Sequence, residues 1–206
     1  IESTDFMGAV RILAARAKIP VPESNFDSEK AALLKKKRDA LVEILLASAR
    51  FYLSNLYGGK ADAHLEYILS LIHISRRKLA PTTVKKFGLG ASLDFYSLPE
   101  YLSGRGYSKE NLLDSGVLTE AKNGRLIDSQ GGRLIFPIIN AFDEVVGFGG
   151  RLLEKSDFAK YKNTKETMVF NKSKTLYNVN LLKKLKRTQT IKEVIVVESY
   201  MDTISL

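Results

Sequence analysis

The chain has 206 residues, 45% hydrophobic and 27% charged, with a formal net charge of +9. That balance excludes a disordered or fibrous chain, and the length suffices to bury a core without staples. Without cysteine there can be no disulfide framework and no thiolate metal site, and no apolar run approaches the roughly 18 residues of a membrane span.

The first predicted element is a helix over 5–18, where Phe6, Val10, Leu13 and Ala17 recur at helical spacing. Pro20 and Pro22 end it. A long helix is expected over 28–57, capped by Asp27 or Ser28. Its apolar stripe is Leu34, Leu41, Leu45, Ala49, Tyr52 and Leu56, and Gly58-Gly59 stops it. Short helices follow near 61–70, 81–87, 97–103 and 108–115, with Pro81 at a first helical position and Ser108 as an N-cap. Leu69–Ser75 reads LSLIHIS, a heptapeptide that one reading frame of a common sequencing-transposon end also encodes. We read most of it as an assembly artefact, which resequencing from an untagged amplicon would test. It contains one of the two histidines; His64, the other, reads as an ordinary side chain of a short helix.

After Gly124 the pattern turns β-rich. Strands are expected at Leu126–Asp128, Leu134–Ile139 and Val145–Leu153, with a turn at Phe142–Glu144. Leu176–Leu185 reads as helical. Val194–Val197 reads as a strand buried on both faces, ending in Glu198. Charge is concentrated here: residues 133–187 carry 12 Lys/Arg against 5 Asp/Glu. A localised positive field suits a nucleic-acid footprint, or a solvated basic surface. Gly147, Gly149 and Gly150 flank Phe148. Strand glycines mark a bulge or a close backbone approach, either to a ligand or within the fold; Arg151 directly after them favours nucleic acid.

Four ordered segments carry a family resemblance: RLIFPI at 133–138, VVGFGGR at 145–151, KYKNTKET through FNK to LY over 160–177, and VIVVESYMD at 194–202. Weaker matches lie at Ala9–Pro22 and Arg77–Gly90. Together they resemble bacterial DnaG-type DNA primases. The resemblance implies an α+β fold, in which a helical N-terminal portion and a small mixed sheet with a basic surface precede the first strand of a TOPRIM sheet. It implies residues 1–26 as a linker after a zinc domain, 27–190 as the template-binding subdomain, and 191–206 as the start of TOPRIM. Both ends read as cut, and residues after about 190 are expected to be loosely held.

By the same resemblance, Arg133, Arg151, Lys160 and Lys172 match the family's basic template groove, with Tyr161 and Asn163 among them. Phosphate-holding cations backed by flat side chains suit a single strand held without reading sequence. Glu198 matches the TOPRIM catalytic Glu, a general acid or base beside a metal centre. The implied activity is synthesis of short RNA primers on single-stranded DNA from nucleoside triphosphates. Mg2+ or Mn2+ would serve as cofactor, on ligands that this chain lacks, and Zn2+ would belong to the preceding domain. Implied partners are the template, an RNA–DNA hybrid and a replicative helicase. The protein would be a monomer in the bacterial cytoplasm, at the replisome. The chain by itself is expected not to prime. The alternative reading is a non-catalytic single-strand-binding module; a different TOPRIM enzyme fits less well, lacking the GFGGR and KYKN segments. Departures from the family pattern are Lys78, Thr164, Lys165, Asn178 and Ser199. Asn178 and Ser199 stand where glycine is usual, and Ser199 puts the loop after Glu198 in question.

Overall fold

The computed structural model describes residues 6–19, 25–67, 81–153 and 157–205. Leu69–Ser75, Arg77 and Lys78 lie outside the described residues. The chain forms two compact units, residues 1–37 and 38–206.

In the first unit, helix α1 (Phe6–Ala17) ends in Lys18 with φ +53°. Leu13, expected on its apolar stripe, is 61% exposed. Helix α2 (Asn25–Tyr57) begins at Asn25, upstream of the expected caps Asp27 and Ser28, which therefore lie inside the helix. Leu34 is exposed, so the working apolar stripe starts only at Leu41.

In the second unit, the α2 residues Leu41, Ile44, Leu45, Tyr52 and Leu56 are fully buried at spacings of three, four and seven. Ser48 shares this face because its hydroxyl donates to the Ile44 carbonyl at 2.8 Å, so it carries no unmet donor. A helical segment over 62–67 follows. Then come α3 (Pro81–Lys86), strand β1 (Gly90–Ala91), α4 (Ser97–Ser103) and α5 (Lys109–Asp114). Ser108 caps α5 as expected, its hydroxyl accepting from the Asn111 amide at 3.2 Å.

Strands β2 (Leu118–Glu120) and β3 (Leu126–Asp128) form a small antiparallel ribbon. Strands β4 (Arg133–Ile139), β5 (Val145–Leu152) and β6 (Tyr161–Asn163) join β1 in an antiparallel sheet of order β1-β4-β5-β6. β4 is buried on both faces. Ile135 packs with Ile44, Leu45, Tyr52 and Phe148 on one side; Leu134 and Phe136 pack with Val84, Met201 and Ile204 on the other. Gly90 is required where β1 meets α2, because a Cβ there would run into the Tyr52 backbone. The β4–β5 turn is held by the Asn140 side chain, which accepts from the amides of Phe142 at 2.8 Å and Glu144 at 3.1 Å.

Helix α6 runs Val179–Thr188, shifted three residues along from the expected Leu176–Leu185. Asn178 just before it has φ +68°, the left-handed region that glycine and asparagine tolerate best. A glycine would suit the same backbone. Helix α7 (Tyr200–Ser205) buries Met201 and Ile204.

One expectation is corrected. Val194–Val197 is not a strand buried on both faces. Val194, Ile195 and Val196 are 53%, 71% and 76% exposed, and the segment joins no sheet. Apolarity alone makes no strand: a ladder needs a neighbouring edge to take its N–H and C=O groups, and no described segment offers one here. A register shift in the β4–β5 ladder falls beside the first GFGG glycine: Gly147 pairs with Ile138 but Val145 with Ile139, leaving Val146 as the extra residue, while Gly147 to Gly150 run in regular register with Ile138 to Ile135. No helix among the described residues is long and apolar enough to cross a membrane.

Candidate nucleic-acid interface

β6 forms the end of the sheet that carries the candidate site. Its residues Tyr161, Lys162 and Asn163 pair with Arg151, Gly150 and Gly149. Side chains alternate along a strand, so Tyr161 and Asn163 share one face and Lys162 takes the other. Three ladder pairs are a thin attachment, and Thr164 reinforces it. Its amide donates to the Phe148 carbonyl at 2.8 Å, and its hydroxyl accepts from the Phe148 amide at 2.8 Å. Either serine or threonine supplies that hydroxyl, so this departure from the family pattern changes nothing. Beyond it, a 3-10 turn at Lys172–Lys174 is capped by the Asn171 side chain, which accepts from the Ser173 amide at 3.0 Å.

These elements bring Tyr161, Asn163 and Lys172 together with Glu198, Ser199 and Tyr200 around one concavity of about 390 Å³. An adjoining concavity of about 440 Å³ shares Tyr161, Asn163 and Lys172 and adds Lys165. Four of the seven expected site residues therefore line one groove.

The other three take distinct places. The Arg151 guanidinium lies between two tyrosine rings, 5.0 Å from the Tyr67 centroid and 5.3 Å from that of Tyr161. Its Nε is buried without a hydrogen-bond partner among the described residues. A cation over ring faces is held in orientation while keeping its charge. Lys160 is exposed beside Tyr161. Arg133 is only 5% exposed, and its Nη1 donates to the carbonyls of Ala159 at 2.9 Å and Lys160 at 3.3 Å. Its guanidinium ties this loop to the sheet, and burial draws its pKa below the ordinary arginine value.

The glycines of β5 answer to packing. A Cβ on Gly149 would enter the Tyr200 ring, and one on Gly150 would strike the side chains of Gln130 and Arg133. The close approach is thus to the chain's own side chains. Tyr200, in turn, stacks on Phe136 with centroids 5.4 Å apart and meets Tyr177 edge-on at 4.7 Å. Its hydroxyl donates to Asn163 Oδ1 at 2.9 Å. Neither Tyr200 nor Tyr67 stood out in the sequence as a site residue. Tyr200 sits inside the VESYMD segment, but its role depends on a glycine in a distant strand.

Ser199, the substitution that put the loop after Glu198 in question, acts as the cap of α7. Its hydroxyl donates to Asp202 Oδ2 at 2.6 Å and accepts from the Asp202 amide at 3.1 Å. It is not among the residues with positive φ, so no glycine is required. As for a metal, Glu198 and the Ser199-bonded Asp202 are the nearby carboxylates of this motif. Among the described residues no group of three His, Cys, Asp or Glu could hold an ion. The described residues do not make a divalent site by themselves.

The chain belongs to the DNA primase catalytic core, N-terminal domain family, which it matches over residues 51–183. It is 33% identical over 202 residues to a DNA primase of Clostridium acetobutylicum and 34% identical over 208 residues to that of Deinococcus radiodurans. These alignments cover 98% and 100% of this chain, but only 31% and 33% of those proteins, so the chain spans about a third of their length. Among solved structures it resembles the DnaG primase catalytic domain bound to ssDNA (TM-score 0.71, 26% identity, 82% of this chain and 52% of that one). It also resembles a DNA primase domain from Pseudomonas aeruginosa (TM-score 0.66, 32% identity, 80% and 49%). A third is the RNA polymerase domain of the Mycobacterium tuberculosis primase with a duplex bearing a 6-nucleotide overhang (TM-score 0.63, 29% identity, 71% and 44%). The mixed α+β architecture with small antiparallel sheets is that of these catalytic cores.

Proposed function

We propose that this chain supplies the template-binding groove of a DNA primase. The observation that carries this reading is the gathering of Tyr161, Asn163, Lys172 and Glu198 around one concavity, in a member of the primase catalytic-core family. Lys160, Lys172 and the ring-held Arg151 would take phosphates. Tyr161 would offer a flat face to a base. Arg133 would act through the backbone it holds under Lys160. Glu198 would accept or return the proton when a hydroxyl attacks a nucleotide phosphate.

The whole protein would then make short RNA primers on single-stranded DNA from nucleoside triphosphates, holding an RNA–DNA hybrid as the primer grows. It would use Mg2+ or Mn2+ on acids outside this chain, with Zn2+ in a separate domain. It would act as a monomer at the bacterial replisome beside a replicative helicase. Residues 1–26, 27–190 and 191–206 would be linker, template subdomain and the start of TOPRIM. This chain alone would bind template without priming.

The test is anisotropy of a labelled single strand over a salt series. Arg151→Ala, Lys160→Ala and Lys172→Ala should each flatten the log–log salt slope by roughly 0.7, the value for one lost phosphate contact on a single strand. Lys35→Ala and Lys36→Ala should leave it unchanged. No binding, or a slope indifferent to all three, would reduce the basic stretch to a solvated surface.

A further inference from the structure

Asn163 has a neutral side chain in a groove lined by Lys165 and Lys172, the carboxylates of Glu166 and Glu198, and the Tyr161 and Tyr200 rings, and its amide can present either a donor or an acceptor. Which one faces the groove is decided by Tyr200. That ring cannot swing: Phe136 lies beneath it, Tyr177 stands against its edge, and Gly149 leaves only the space it already fills. Its hydroxyl oxygen is therefore held beside Asn163, where it donates to Oδ1 at 2.9 Å. With Oδ1 engaged as acceptor, the Nδ2 donors are the end left for a ligand. The Asn163 backbone is itself set by its pairing with Gly149, so strand and ring fix the amide from two sides.

We infer that Tyr200 is a positioning residue: it locks the Asn163 amide so that Nδ2 meets a phosphate oxygen of the single strand in the groove. The inference rests on the template-groove reading above. It gives the groove a neutral donor whose contact releases no counterion, so it adds affinity without adding to the salt slope.

The test is single-strand binding by the 206-residue chain. Tyr200→Phe removes only the hydroxyl and keeps the ring on Phe136 and Gly149. Asn163→Ala should weaken binding about tenfold, as expected for one hydrogen bond to a charged acceptor. Tyr200→Phe should weaken it about two- to fivefold, both with unchanged salt slope. The double variant should bind no worse than Asn163→Ala alone, because Tyr200 would act only through that amide. Asn163→Asp should bind worse than Asn163→Ala, since a carboxylate still accepts from Tyr200 but repels a phosphate. An abasic strand should show the same losses.

If Asn163→Ala binds like the wild type while Lys160→Ala and Lys172→Ala still flatten the salt slope, the Asn163 contact and the positioning role both fail and the groove stands. If Asn163→Ala weakens binding and Tyr200→Phe does not, or the two losses multiply, the positioning role fails while the groove stands. If the abasic strand shows no loss, the acceptor is a base and the phosphate contact is refuted.

Discussion

The ring of Tyr200 occupies the space that a Cβ on Gly149 would need. Gly149→Ala therefore forces either the strand or the ring to move. Overpacking of this kind costs about 1–3 kcal/mol. The melting temperature should fall, and single-strand affinity should fall with it as Asn163 loses its partner. In a Tyr200→Ala background the added methyl should be nearly free, so a double-mutant cycle on thermal stability should show strong coupling.

Asp128 is almost fully buried and accepts hydrogen bonds from Tyr52 at 2.9 Å, Ser92 at 2.6 Å and the Gln130 amide at 2.7 Å. Burial outweighs these bonds and pushes its pKa up to about 6. A raised carboxyl pKa means that the folded chain binds the proton more tightly than the unfolded one. The stability from this group is thus complete at acid pH and is lost as pH rises from about 4 to about 6, by about 3 kcal/mol. Asp94 and Glu144 are shifted the other way, so their contributions are lost only as pH falls through the lower carboxylate range. Burial also lowers the His64 pKa. Urea titrations of wild type against Asp128→Asn across pH 4–7 cancel those groups; a difference that stays flat with pH would refute the assignment.

Arg133 and Arg151 should behave differently despite the shared residue type. Arg133→Met takes the 2.9 Å donor from the Ala159 carbonyl, while the Lys160 carbonyl keeps the Leu152 amide, at a cost of about 1–3 kcal/mol. For a chain of this size that is a fall in Tm of several degrees. Its effect on the salt slope should be no larger than that of Lys160→Ala, and the pair should add nothing further. Arg151→Ala should instead change the slope by itself.

Ser199→Ala removes the cap of α7 and should cost about 1 kcal/mol, whereas Ser199→Gly should cost only a few tenths. At Asn178 the same order holds for a different reason, its positive φ. Asn178→Gly should be neutral or stabilising, and Asn178→Ala should cost about 1 kcal/mol. Urea midpoints of the four variants check both.

Much of this architecture is legible because its signals are local. The stripe from Leu41 to Leu56 predicts the buried face of α2, and Ser108 predicts a cap that forms. β6 was legible only as a basic motif, because Tyr161–Asn163 is polar and is held by its ladder and the distant Thr164–Phe148 bonds. Val194–Val197 misled for the opposite reason: the run is apolar enough for a buried strand, yet pairing depends on a neighbour that its own residues do not encode. Within the candidate site, the family resemblance pointed to Tyr161, Asn163, Lys172 and Glu198. Nothing in the sequence distinguished a buried arginine from a ring-held one, or revealed that a strand glycine answers to Tyr200. Those relations exist only once the sheet register brings the residues together.

The place of Tyr161 in the groove also has an optical consequence. The chain has nine tyrosines and no tryptophan, so its ultraviolet emission is tyrosine emission. Tyr161 is 41% exposed and lines both concavities, while Tyr52 is shut in the core against Phe148. A base stacking on Tyr161 would quench part of that emission, and Tyr161→Phe would remove that part. Occupancy of the groove can then be followed on the unlabelled chain, with the dark variant as its blank.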